Sequence, residues 1–185
     1  MQISSHPLPY CAALEARELE AIQLVVVHCT ELPDLAAARI EGELPRYPSG
    51  TGNSGHYYVD RDATVEEYVP LTRIAHHTRG FNPQSIGIEL VNRGRFPDWL
   101  ASRHQQMTEA YPDLQIVALI ALVNELRTRC PNLAEIAGHE DLDRTEVPAS
   151  DDPGVLVRRK RDPGPLFPWE RVLKGCGLAR RLSQS

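Results

Sequence analysis

The sequence predicts an α/β fold in a single domain. Two strand patterns and one long helix pattern carry that prediction. Leu24-Val25-Val26-Val27 is a β-branched run ending in His28, Ser85-Ile86-Gly87-Ile88-Glu89-Leu90 is a second apolar run, and apolar residues recur at helical spacing from Pro112 to Arg129. With 185 residues the chain has the length of one domain, residues 1–185, with its core expected over about 22–175. That is enough to bury a core without disulfides, and no internal period suggests a repeat architecture.

Residues 22–28 read as a buried strand because the run is too apolar to leave one face in water. After Pro33-Asp34 a short helix is expected, followed by a loop punctuated by Pro45, Pro48, Gly50, Gly52 and Asn53. Residues 56–60 and 64–69 form a plausible hairpin around Arg61-Asp62-Ala63. A strand is expected over 74–78, and alternation along it points His76 away from His77. In 85–90 the same alternation sets Glu89 opposite Ile88 and Leu90 and beside Gly87, a glycine that leaves room next to the carboxylate. The main helix buries Ile116, Leu119, Ile120, Val123 and Leu126, with Val117 and Leu122 widening the stripe. Pro131 stops it, a last strand over 133–138 leads to His139, and Trp169 to Lys174 forms a short closing helix. The polar, turn-rich stretch 140–158 is long for a connection, which marks it as functional or mobile and expected to govern substrate access.

The net charge of -5, from 20 Lys and Arg against 25 Asp and Glu, argues against a nucleic-acid partner. Cations gather only locally, at Arg158, Arg159, Lys160 and Arg161. No run approaches the ~20 apolar residues that span a bilayer, and the first residues carry no leader pattern. Cys11, Cys29, Cys130 and Cys176 are scattered without C-x-x-C spacing, as expected of reduced thiols in the cytoplasm. Cys29, next to His28 on a strand, is expected to face the other way as a small buried hydrophobe.

His28, His139 in Ala-Gly-His-Glu, and Asp162 in Lys160-Arg161-Asp162-Pro163-Gly164-Pro165 together make a three-ligand set for a divalent metal with a fourth position open, which points to hydrolysis. Singly, each has a plain reading. A strand-end histidine is more often a core residue, Glu89 a charge on a solvated face, and Lys160 one of several loop cations. His56 and His77 either line a groove, hydrogen-bond a ligand from behind, or simply pack.

The ordered series Val-Val-Val-His28, Ser54-Gly55-His56-Tyr57, Ala-His-His77, Ser85-Ile-Gly-Ile-Glu89-Leu, Gly138-His139 and Lys160-x-Asp162-Pro-Gly-Pro resembles the type 2 zinc-dependent N-acetylmuramoyl-L-alanine amidases. That class includes cytoplasmic anhydro-muropeptide amidases, phage lysozyme-type amidases and peptidoglycan recognition proteins. The resemblance implies a mixed β-sheet flanked by helices with a zinc site at one edge of the sheet. It implies that His28, His139 and Asp162 bind Zn2+, that Glu89 is the general base, and that Lys160 stabilises the oxyanion. The implied substrate is peptidoglycan or its anhydro-muropeptide fragments; the oligomeric state is left open by the sequence, with a monomer favoured, and the cationic run Arg158 to Arg161, together with Arg79, is expected to meet carboxylates of the peptide stem. A module of the same fold that binds peptidoglycan without cutting it is the alternative; an unrelated zinc peptidase is disfavoured because no His-Glu-x-x-His helix is present. One departure from the family is the insert before Lys160, which carries a second Asp-Pro-Gly at Asp152; lacking a lysine two residues earlier and a following proline, Asp152 is the weaker ligand candidate.

Overall fold

The computed structural model describes residues 2–182. The elements in chain order are β1 Ser4–Ser5, β2 Leu24–Cys29, α1 Leu35–Glu43, β3 Tyr57–Val59, β4 Val65–Glu67, β5 Ser85–Leu90 and α2 Asp113–Arg129. They continue with β6 Glu135–Gly138, α3 His139–Leu142, β7 Glu146–Pro148, β8 Leu156–Arg158, α4 Trp169–Cys176 and β9 Ala179–Arg180. Seven strands make one mixed sheet in the order β1-β4-β3-β5-β2-β6-β9, and β7 pairs with β8 in a separate hairpin. Only β3 and β4 run antiparallel within the large sheet.

Strand β2 is buried along its whole length because both faces are covered. Val25 and Val27 join Ile86, Ile88 and Leu90 under α2, where Ile116, Leu119, Leu122, Val123 and Leu126 are fully buried. Each such side chain contributes about 1.5–3 kcal/mol through burial. Leu24 and Val26 face the other way with Ala137 and Phe81, so the alternation that feeds the core also aims His28 out of it. The buried amide of Gln115 donates to Val59 O and Val91 O, both at 3.0 Å, tying α2 to the ends of β3 and β5.

Asp34 caps α1 by accepting from Ala37 N at 2.8 Å. α4 lies on α2 so closely that a Cβ on Gly175 would come within 2.8 Å of Ile120. Val117 does not widen the buried stripe; it is 53% exposed. At about 100° per residue it falls on the far side of α2 from Leu119 and Leu126.

The expected strand over 74–78 is a loop. The side-chain oxygen of Asn82 accepts from both His77 N (3.1 Å) and Thr78 N (2.7 Å), offering the backbone a turn in place of a ladder. His76 and His77 therefore do not alternate across a sheet, and both face the same cavity.

The 140–158 connection is built rather than loose. It contains α3 and the β7–β8 hairpin, with Val147 opposite Val157. The hairpin end is fastened to the 99–105 segment by Ser150 N to Leu100 O (2.9 Å) and Ser102 N to Asp151 Oδ1 (2.6 Å).

Candidate metal centre and active site

The site lies at the edge formed by the carboxyl ends of the central parallel strands. β2 and β5 pair so that His28 stands beside Glu89, and β3 continues the same rung with Tyr58 beside Glu89. β6 pairs with β2 up to Val27 and Gly138, so His139, the next residue, arrives next to His28. Asp162 comes from the far end of the chain and is held there by its own backbone: Glu140 N donates to Asp162 O at 2.9 Å, and the Tyr111 hydroxyl donates to Pro163 O at 2.7 Å. Gly138 permits this approach, since a Cβ there would lie 2.7 Å from the Pro163 ring.

His28 Nδ1 and His139 Nδ1 lie 2.9 Å and 3.2 Å from the same oxygen, Asp162 Oδ2. All three residues are 3% exposed, and their donor atoms fall within 4.8 Å of one another. The other carboxylate oxygen, Asp162 Oδ1, is buried with no hydrogen-bond partner. A buried carboxylate oxygen left unpaired is costly, and two imidazole nitrogens converging on that carboxylate form a donor set that a divalent cation satisfies. The residues fit a metal ion.

His28 is fixed from behind. Its Nε2 lies 3.0 Å from His77 Nδ1, and His77 Nε2 lies 3.2 Å from the Ser85 hydroxyl. Such a partner on the second ring nitrogen orients a ligand imidazole. Burial, followed by the neighbouring imidazoles and Arg17, holds His77 well below the usual histidine range, so it is a neutral partner. His77 occupies the space over Gly87, where a Cβ would come within 2.6 Å of its ring. The room for Glu89 comes instead from Gly55, whose Cβ would meet Glu89 Cγ at 2.8 Å.

A cavity of about 760 Å³ opens over the cluster, within the ordinary range for small-ligand sites. Glu89, Lys160, His76, His77 and Arg79 line it together with the three candidate ligands. His56 does not. It is fully buried, receives Gly87 N on Nδ1 at 3.0 Å, and has Nε2 2.7 Å from Arg17 Nη2. Arg161 also lies outside the lining, and Asp152 is exposed and spends Oδ1 on Gly154 N. Tyr47, Arg95 and Trp99 line the cavity without having been singled out in the sequence. Tyr47 and Asn53 belong to the breaker-rich loop after α1, which thus forms part of the cavity wall.

Burial pushes the Glu89 carboxyl above the usual carboxylate range; Asp162 adds to this, while His28 and Lys160 oppose it. Burial also pushes Asp162 upward, but His139, His28 and Lys160 outweigh it and hold Asp162 well below that range. The two groups therefore act on stability with opposite sign. Stability from Asp162 is present above its unfolded pKa and is lost as pH falls through the folded value. For Glu89 the cost of ionisation grows as pH rises from the unfolded to the folded value. In metal-stripped protein, Glu89→Gln is expected to raise Tm relative to wild type at about pH 7 and to do so less at about pH 4. Calorimetry in chelator measures this, and an equal difference at both pH values would contradict a burial penalty on Glu89.

The family model for N-acetylmuramoyl-L-alanine amidase (Amidase_2) matches residues 18–165. The chain is 29% identical over 170 residues to the 1,6-anhydro-N-acetylmuramyl-L-alanine amidase AmpD of Citrobacter freundii, covering 80% of this chain and 77% of that one. It is 33% identical over 135 residues to the N-acetylmuramoyl-L-alanine amidase AmiD of Escherichia coli (strain K12), covering 64% of this chain and only 43% of AmiD. The structure of AmiD in complex with anhydro-N-acetylmuramic acid-L-Ala-D-gamma-Glu-L-Lys superposes with a TM-score of 0.62 at 26% identity, over 86% of this chain and 58% of that one. The amidase LysC from Clostridium intestinale shares the fold, with a TM-score of 0.68 at 20% identity over 96% and 99% of the two chains.

Proposed function

The chain belongs to the N-acetylmuramoyl-L-alanine amidase family, and on that premise we propose that it hydrolyses the amide between the lactyl carboxyl of N-acetylmuramic acid and L-alanine, using zinc held by His28, His139 and Asp162. The observation that carries this reading is the His28–Asp162–His139 cluster, with its unpaired Asp162 Oδ1, opening into a cavity whose wall holds both Glu89 and Lys160. Zinc in such a site supplies Lewis acidity, making water acidic near neutral pH and polarising an amide carbonyl.

The chain's own residues supply the rest. Glu89, ionised, takes a proton from the attacking water and passes it to the departing L-alanine amine, and burial, by raising its pKa, suits it to that exchange. The Lys160 ammonium offsets negative charge developing on the carbonyl oxygen. His77 keeps the His28 ring in place, and Arg79, on the cavity wall, meets stem-peptide carboxylates.

Soluble anhydro-muropeptides are the proposed first substrate, in keeping with the relatives named for the 1,6-anhydro sugar, and intact murein the second. A cytoplasmic setting belongs to the same proposal and is supported by the four cysteines, all unpaired. No helix among the described residues is long and apolar enough to cross a membrane. Retention of three metal donors and a carboxylate base disfavours a purely binding role.

Incubation with a defined anhydro-muropeptide is expected to release free peptide with an L-alanine amino terminus, seen by mass spectrometry. Chelation is expected to abolish release and added zinc to restore it. Full release by rigorously metal-free protein would end the metal-hydrolase reading.

A further inference from the structure

We propose that Arg95 is a positioning residue for Lys160, a role that rests on the proposed part of Lys160 in the reaction. Arg95 is 1% exposed, and its guanidinium spends every face on fixed partners. Nε and Nη2 grip the Glu31 carboxylate at 2.7 Å and 3.0 Å. Nη1 donates to Arg158 O at 2.9 Å and Gln105 Oε1 at 3.2 Å, and Nη2 donates to Arg159 O at 3.2 Å. Two successive carbonyls immediately before Lys160 are thereby held by one planar, buried cation.

The other end of the brace is equally constrained. Glu31 lies three residues beyond His28 and adopts φ +50°, a left-handed conformation that is costly for a residue with a Cβ. Gly94, next to Arg95, lets Glu31 pack against it, since a Cβ there would meet Glu31 Cγ at 2.7 Å. Glu31 O accepts from the Trp99 indole at 3.0 Å. The brace therefore joins three parts of the site: the strand end carrying His28, the wall carrying Trp99, and the segment carrying Lys160. Lys160 itself gains its place from backbone held two residues upstream. An ammonium on a flexible four-carbon stem needs such an anchor to meet a developing charge within a fraction of an ångström.

A lysine at position 95 keeps the charge but lacks the planar fork that serves a carboxylate and two carbonyls at once. Arg95→Lys, assayed on a defined anhydro-muropeptide, is expected to keep one zinc per chain, lower kcat about 10- to 100-fold and leave KM within about twofold. The deciding measurement is a double-mutant cycle. In a Lys160→Ala background, Arg95→Lys is expected to cause little further loss, because the group it positions is gone. A merely structural role would multiply the two losses. Glu31→Gln, which keeps the shape and one acceptor but removes the charge, is expected to act in the same direction, and it carries the test if Arg95→Lys does not fold. If Lys160→Ala is slow while folded Arg95→Lys or Glu31→Gln turns over at the wild-type rate, this inference alone falls. If Lys160→Ala itself matches wild type, the role of Lys160 falls and the inference with it.

Discussion

Asp162→Ala is expected to yield protein that retains little or no zinc after dialysis, and with it no amidase activity. The carboxylate supplies the only anionic donor among the three candidate ligands, and both imidazoles converge on its Oδ2 at 2.9 Å and 3.2 Å. Even outer hydrogen-bond partners of metal ligands are worth about 10- to 100-fold in affinity, so loss of a ligand itself is expected to exceed about 100-fold. Asp152→Ala is the matched control, because Asp152 lies in the second Asp-Pro-Gly, is exposed, and caps only Gly154 N. It is expected to leave metal content and rate near wild type. Elemental analysis with chelator competition reads both variants. Zinc lost from Asp152→Ala and kept by Asp162→Ala would shift the register of the motif and remove Lys160 from its role as well.

Glu89→Gln is expected to keep its zinc and its fold and to lose about 10²- to 10⁴-fold in kcat, equivalent to roughly 3–5 kcal/mol of transition-state stabilisation. The amide fills the same space under Gly55 but cannot accept the water's proton. The two largest effects are thus separable. Asp162→Ala removes metal and activity together, whereas Glu89→Gln removes activity alone. Turnover near wild type in zinc-loaded Glu89→Gln would place the base elsewhere.

Two outcomes nearest the site have a common cause. Alternation correctly put Gly87 on the face of Glu89, yet the space above that glycine belongs to His77, and Gly55, from a different segment, makes room for the carboxylate. His56, which the sequence left open between a groove residue, a partner behind a ligand and a packed residue, is fully buried, with Arg17, 39 positions away, reaching its ring at 2.7 Å. In both cases the deciding neighbour came from outside the local pattern. In the 140–158 insert β7 pairs with β8, and Asp151 accepts from Ser102 N, fastening the hairpin to the segment that carries Trp99 and Leu100.

By itself the sequence determined the α/β class, strands β2 and β5 with His28 and Glu89 near their ends, the long helix α2, and the Lys160-x-Asp162 element. These are legible because strand and helix periods and short motifs act over a few residues, within which each side chain's direction follows from its neighbours. Only the tertiary structure decided that Arg17 packs against His56 across 39 positions, that Asn82 turns 74–78 into a loop, and that Arg95 ties Glu31 to the carbonyls before Lys160. Contacts of that kind leave no periodic trace along the chain, because they depend on which surfaces burial brings together once the sheet is covered on both faces.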